Sequence, residues 1–272
     1  MNGPLLTLKV HDAMRSALQR GELKLNCSLD LDRSSEWITL AAKTWQRAAQ
    51  SYPYLTRCKD RTIYHWTNSG FEPAARFSGA LIKLVPTAWG APTFEIDGIK
   101  MLPSAKESPF ADAERKVALI QPRGKVILDT CGGLGYFAAW CLAGAAQQII
   151  SVEKNADVLW LRSLNPWSPG ADASLQLING DITAHIQTLH DQSIDAALHD
   201  PPRFGIAGEL YSQAFYAQLA RVLKPAAKLF HYTGKPNQLT SGRDVPNEVA
   251  TRLRAAGFRT ALELDGVMAV KR

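Results

Sequence analysis

The segment Val126-Ile-Leu-Asp-Thr-Cys-Gly-Gly-Leu-Gly135, followed by Tyr136-Phe-Ala-Ala-Trp140, restricts the folds open to this chain more than any other. Three apolar residues end in an acid, glycines turn the backbone, and an apolar run of helical composition follows. A strand that passes through a glycine turn into a helix is the first half of a βαβ unit, and glycine lets backbone approach a ligand with no Cβ in the way. The first N–H groups of the helix have no intrahelical partner and suit an anion. The next apolar run, Gln148-Ile-Ile-Ser-Val-Glu153, ends in a second carboxylate about twenty residues on, where a ribose diol would find an acceptor.

From Lys125 onward strand-like and helical runs alternate. Strands are predicted at Val126–Asp129, Ile149–Glu153, Leu175–Ile178 and Ile194–Asp200; helices run through Trp140, from Ala156, from Ile182 and around Tyr211–Leu223. Such alternation implies a parallel sheet with helical crossovers. The end differs: Lys228–Tyr232 reads as a strand, Asn247–Gly257 as an amphipathic helix stopped by glycine, and Phe258–Glu263 with Val267–Lys271 as a hairpin across Asp265-Gly266. Before about residue 110 the texture changes. Glu22–Leu31, Thr62–Trp66, Ala80–Val85 and Thr93–Met101 read as short strands between turns, and Ser35–Gln50 reads as a helix. The expected organisation is a small β-rich unit over residues 1–110, of the kind that covers a substrate pocket, ahead of an α/β domain over 111–272.

A chain of 272 residues, 46% hydrophobic, is long enough for both. Met1–Ser16 holds no apolar core of signal-peptide length, and no later stretch runs about eighteen residues without charge or proline, so a cytoplasmic chain with no membrane span is expected. Cys27, Cys58, Cys131 and Cys141 are neither paired as C-x-x-C nor clustered with histidine, which predicts thiols with no disulfide framework and no metal. The net charge of +6 permits contact with RNA, yet no block of five basic residues appears. A small-molecule substrate is therefore the expected partner ahead of nucleic acid, and a homodimer is compatible with the chain.

In a doubly wound sheet, ligands gather beyond the carboxyl ends of the strands, which places Asp129, Glu153, Asp181 and Asp200 along one rim. The spacing Asp129-x-x-Gly132-Gly133-x-Gly135 departs from the G-x-G-x-x-G of dinucleotide binders and resembles the first motif of class I S-adenosylmethionine-dependent enzymes, with Cys131 in the first glycine slot. That resemblance implies a Rossmann-like, class I methyltransferase-like sheet of seven strands with a C-terminal antiparallel hairpin. It also implies S-adenosylmethionine as methyl donor or substrate. Gly132, Gly133 and Gly135 would cradle it, Asp129 would anchor the turn near the methionyl amine, Glu153 would take the ribose hydroxyls, and Asp181 with Ile182 would contact adenine. Asp181 also reads as the N-cap of the helix that opens at Ile182.

Leu198-His-Asp-Pro-Pro-Arg203 is similar to the Asp/Asn-Pro-Pro-aromatic motif of amino-group methyltransferases, with Arg203 in place of the ring and Phe204 one position later. Asp200 to Tyr216, with Arg221-Val-Leu-Lys-Pro225, resembles the aminopropyltransferase loop D-P-x-G-P-A-x-x-L-Y-x-x-x-F-Y, and Phe94–Met101 resembles the strand-turn-strand ahead of the cofactor domain in spermidine synthases. With Asn165-Pro-Trp-Ser168, these segments resemble a mainly archaeal group of predicted methyltransferases and the bacterial azetidine-2-carboxylate synthases, over about Lys83 to Lys271.

The resemblance implies attack on the γ-carbon of the methionyl chain with release of methylthioadenosine. In its intramolecular form the α-amine closes a four-membered ring, giving azetidine-2-carboxylate for secondary metabolism. Asp200 or His199 would take the proton, Tyr211, Tyr136 or Phe204 would face the sulfonium, and Pro201 would line the cofactor. Tyr211 and Tyr216 also read as helix-packing residues beside Leu210, Ala214, Ala217 and Leu219, and His231-Tyr232 carries the same two readings. The alternatives are methyl transfer to a small molecule or RNA, and RNA binding without catalysis.

Overall fold

The computed structural model describes residues 3–234 and 244–272. The chain divides into two compact units: residues up to Phe110 together with Trp160–Trp167, and Ala111–Leu159 together with Ser168–Arg272.

In the first unit, the helix Leu8–Gln19 starts where Thr7 Oγ1 accepts the Val10 N–H, and it buries Val10, Met14 and Ala17 on one stripe. Short antiparallel strands form three sheets, one of which orders Lys24–Cys27, Glu36–Leu40, Thr44–Arg47 and Gln50–Pro53 side by side. The helix expected over Ser35–Gln50 is therefore a hairpin. Along Glu36–Leu40 the side chains alternate, with Ile38 and Leu40 buried and Trp37 and Thr39 exposed; that period of two, carried by β-branched residues, overrides the helical reading. Trp45 stacks on Tyr52 with ring centroids 4.6 Å apart, and Trp66 meets Tyr52 edge-on at 5.0 Å. Asp97-Gly98 turns the chain between Thr93–Ile96 and Ile99–Lys100.

The second unit is built on one mixed sheet of seven strands. We label them β1 (Val126–Asp129), β2 (Gln148–Glu153), β3 (Leu175–Asn179), β4 (Ile194–His199), β5 (Leu223–Tyr232), β6 (Phe258–Glu263) and β7 (Gly266–Lys271); their order is β3-β2-β1-β4-β5-β7-β6. In chain order the helices are α1 (Pro109–Ile120), α2 (Tyr136–Ala143), α3 (Ala156–Leu164), α4 (Ile182–Thr188), α5 (Gln213–Val222) and α6 (Val245–Ala255); the first two residues of α1 and the second half of α3, from Trp160, belong to the first unit. The first five strands are parallel, and β7 runs antiparallel to both β5 and β6. Parallel strands covered on both faces need continuous apolar runs, and Ile127, Leu128, Ile149, Ala196, Ala197, Leu198, Leu229 and Phe230 are all 0% exposed.

Three boundaries differ from the sequence expectation. β4 stops at His199, so Asp200 is the first residue off the strand, and β5 begins at Leu223 because Leu223 already pairs with Ile194. The final hairpin turns at Leu264-Asp265, with Gly266 inside β7 opposite Tyr232 and Glu263. Among the described residues no helix is long and apolar enough to cross a membrane.

Candidate active site

The strand order reverses between β1 and β4: β2 and β3 lie to one side of β1, β4 and β5 to the other. A reversal of this kind opens a crevice at the carboxyl ends of the strands. The four acids collect there. Asp129 ends β1 opposite Ser151 and Leu198, Glu153 ends β2 opposite Asn179, Asp181 lies just beyond β3, and Asp200 just beyond β4.

The glycine turn is held from both sides. The Gly132 N–H donates to Val152 O at 2.8 Å, the Gly135 N–H to Gly132 O at 2.7 Å, and the Gly133 N–H to Glu153 Oε2 at 2.9 Å. Gly133 and Gly135 have φ of 47° and 80°, a left-handed backbone that a side chain would strain, and Gly135 caps α2. Glu153 Oε1 accepts the Asn155 N–H at 2.8 Å, so its carboxylate is fixed at the mouth of the turn. Asp129 is buried and accepts the Ser151 hydroxyl at 2.8 Å.

Asp181 is the N-cap of α4: its Oδ1 accepts the Thr183 N–H at 2.8 Å and the Thr183 hydroxyl at 2.7 Å, while Lys154 Nζ donates to Oδ2 at 2.8 Å. Lys154 and Thr183 hold its acidity at about 2, so it carries a full charge. Ile182, the first residue of α4, is buried and packs with the apolar core that includes Ile186 and Val152. Tyr136 opens α2 and is buried, and Pro201 is buried directly after Asp200. Phe204 packs edge-on against Tyr211 with ring centroids 5.4 Å apart.

His199, expected as an alternative proton acceptor, and Tyr211, expected to face the sulfonium, both make hydrogen bonds within the fold. His199 is 0% exposed; its Nε2 donates to Leu210 O at 3.0 Å and its Nδ1 accepts the Thr130 hydroxyl at 2.7 Å. Both ring nitrogens are thus engaged by protein, and burial, against the Leu210 hydrogen bond, depresses its pKa to about 4. The Tyr211 hydroxyl donates to Pro202 O at 3.1 Å, and Arg252 Nη1 donates to Tyr211 O at 2.8 Å, which ties the Asp-Pro-Pro turn to α6. Beside His199, 4.4 Å away between ring centroids, His231 accepts the Tyr216 hydroxyl on Nε2 at 2.9 Å and donates from Nδ1 to Tyr232 O at 2.9 Å. Burial, then the neighbouring His199, keep it neutral well below the ordinary imidazole range.

Two neutral histidines inside the fold make it acid-sensitive. The unfolded chain takes up protons as pH falls below about 6.5, whereas the native chain refuses them until about 4, so stability present at neutral pH is lost on acidification. His199 alone accounts for about 2 kcal/mol between pH 7 and 5. Urea unfolding at pH 7, 6 and 5 is expected to show the midpoint falling at each step; a constant midpoint would contradict the buried neutral pair.

Asp200 is the rim acid whose chemistry departs most from an ordinary carboxylate. Burial pushes its pKa up to about 7; Lys116 opposes that rise, and Asp112, Asp265 and Asp129 add to it. Of its neighbours, Tyr232 at the end of β5 is a candidate in the sequence, whereas Asp112 and Lys116 on α1 and Asp265 in the β6–β7 turn escape sequence reasoning. Asp112 and Lys116 stand four apart on a helix, the spacing of an ordinary surface ion pair, and nothing local announces that Lys116 is 1% exposed.

The fold and the crevice define a class I methyltransferase-like domain. No protein-family model matches the chain. Among solved structures it is similar to the spermidine synthase of Thermotoga maritima, at 18% identity and a TM-score of 0.56 over 73% of this chain and 72% of that one. A spermidine synthase in complex with the transition state analogue AdoDATO gives the same identity and TM-score over 73% and 71% of the two chains. The uncharacterized protein MJ1233 of Methanocaldococcus jannaschii is 40% identical over 214 residues, spanning 77% of this chain and 73% of that protein. The chain belongs to the same family as that archaeal protein.

Proposed function

We propose that this chain is an enzyme that consumes S-adenosylmethionine by displacement at the γ-carbon of its methionyl chain, cyclising it to azetidine-2-carboxylate and releasing methylthioadenosine. One observation carries the reading: Asp200 stands at the β1/β4 crevice with an acidity near 7, while both ring nitrogens of His199, the other candidate for the proton, are occupied within the fold. A group of that acidity both accepts and returns a proton near neutral pH.

The donor and acceptor set suits the ligand. Gly133 and Gly135 leave room for close backbone approach. The Glu153 carboxylate, an acceptor held at the mouth of the turn by the Gly133 and Asn155 N–H groups, suits the ribose diol. Asp181 suits an exocyclic amine, in competition with Lys154. When bound, S-adenosylmethionine supplies an electrophilic carbon on a sulfonium that leaves as a neutral thioether. The bond that forms joins the α-nitrogen to Cγ, the Cγ–S bond breaks with its electron pair going to sulfur, and Asp200 takes the proton the nitrogen loses. The likeness to spermidine synthases supports the choice of γ-carbon, since it reaches over more of the chain than the sheet domain alone. The protein's role is to align one carbon with one nucleophile and exclude water.

Pure protein incubated with S-adenosylmethionine alone is expected to release methylthioadenosine with no second substrate. Formation of S-adenosylhomocysteine only, and only when an acceptor is added, would support methyl transfer instead. Replacing Glu153 with glutamine is expected to weaken methylthioadenosine binding about 10- to 100-fold, since hydrogen bonds to a charged group are each worth about 1.5–3 kcal/mol. Titration calorimetry reads this, and an unchanged affinity removes Glu153 from the ribose site.

A further inference from the structure

We propose that Lys116 is a positioning residue for Asp200: a single buried ammonium, locked in place by three elements, that sets the charge state of the carboxylates around it. The inference rests on the reading of Asp200 as proton acceptor.

Lysine is almost never fully buried unless paired, because removing an ammonium from water is costly. Lys116 is 1% exposed, and each of its neighbours holds it. Its Nζ lies 2.6 Å from Asp112 Oδ2 one turn back on α1, 3.6 Å from Asp265 Oδ2 in the β6–β7 turn, and 3.9 Å from the centre of the Tyr232 ring. Tyr232 is the last residue of β5, and β4 runs parallel to it with His199 opposite His231. Asp200 and Tyr232 therefore follow directly on paired residues of adjacent parallel strands, and Lys116 lies against the ring of Tyr232.

The charges do not balance. Asp112, Asp200 and Asp265 with Lys116 and with Arg115, whose Nη2 lies 3.2 Å from Asp112 Oδ1, would carry −1 if all were ionised, and Asp129 on β1 adds to the excess; His199, the Cys131 thiol and the Tyr232 and Tyr211 hydroxyls are further titratable neighbours among the described residues, all of them neutral. Like charges disfavour ionisation and an ammonium favours it. A proton on Asp200 relieves the excess, and Lys116 is the cation that works against it. Asp265 is likewise shifted upward, by burial first, and shares the one buried ammonium with Asp112, which Arg115 also pairs from the more exposed side.

Opposite-sign substitutions test this. In full-length protein labelled with carboxyl-13C aspartate, with the Asp200 signal assigned by loss in Asp200→Asn, NMR titration reads the ionisation directly. Lys116→Met is expected to move the Asp200 midpoint up by about one pH unit, Asp265→Asn to move it down, and Lys116→Arg to leave it in place. Thermal melts establish which variants fold; if Lys116→Met does not, the downward shift in Asp265→Asn decides. An unmoved midpoint in Asp265→Asn, or in folded Lys116→Met, overturns the proposal. Methylthioadenosine release against pH in the same variants separates the two readings: a moved midpoint with an unmoved rate profile supports the role of Lys116 and removes Asp200 as proton acceptor.

Discussion

Asp200→Asn is expected to slow methylthioadenosine release about a hundred- to ten-thousand-fold, the range over which a positioned general base acts, while the protein remains folded. The substitution keeps shape and removes the ability to take a proton. Because Asp200 must be ionised to act as a base and its pKa is pushed to about 7, the wild-type rate is expected to rise with pH through about 7 and level off above it. A carboxylate of ordinary acidity would give a flat profile from pH 5.5 upward, roughly one and a half units above the aspartate reference value. Steady-state rates from pH 5.5 to 9 for the two proteins decide between these; near-normal turnover in the variant excludes Asp200 from the chemistry.

The largest expected effect on stability lies one residue from the acid cluster. A Cβ at Gly266 would lie 2.3 Å from His231 O and 2.8 Å from the Phe230 ring, inside the pairing of β7 with β5. Gly266→Ala must push these strands apart, at a cost of about 3 kcal/mol. Urea unfolding is expected to show a matching fall in stability, and equal midpoints would mean that the hairpin yields without cost. Glycine is therefore demanded here by the neighbouring strand, one position after the turn that its sequence context suggests.

That offset shows where sequence reasoning succeeds and where it stops. The apolar runs of β1 to β4 are legible because strands covered on both faces admit no polar interruption, and the glycine turn and its rim acids follow from strand ends alone. Glu36–Leu40 is harder to read: a short alternating stretch next to Ala41-Ala42-Lys43 satisfies either period until its partners Lys24–Cys27 and Thr44–Arg47 are known. The helix Leu8–Gln19 had a readable signal in Thr7 and the stripe Val10, Met14, Ala17. Within the site, His199 and Tyr211 lie in the right motif, but a motif does not reveal that Thr130, Leu210 and Pro202 already occupy them. The Lys116 cluster is illegible for a related reason. Its members come from α1, β5 and the last hairpin, and only tertiary assembly brings them together.

The most direct measurement uses S-adenosylmethionine labelled with 15N at the α-amine and 13C at the γ-carbon, incubated with pure protein and no acceptor. A one-bond 15N–13C coupling is expected to appear in a C4 cyclic amino acid, in step with one methylthioadenosine per turnover. Loss of the methyl group with the methionyl chain left intact and linear would contradict γ-carbon cyclisation.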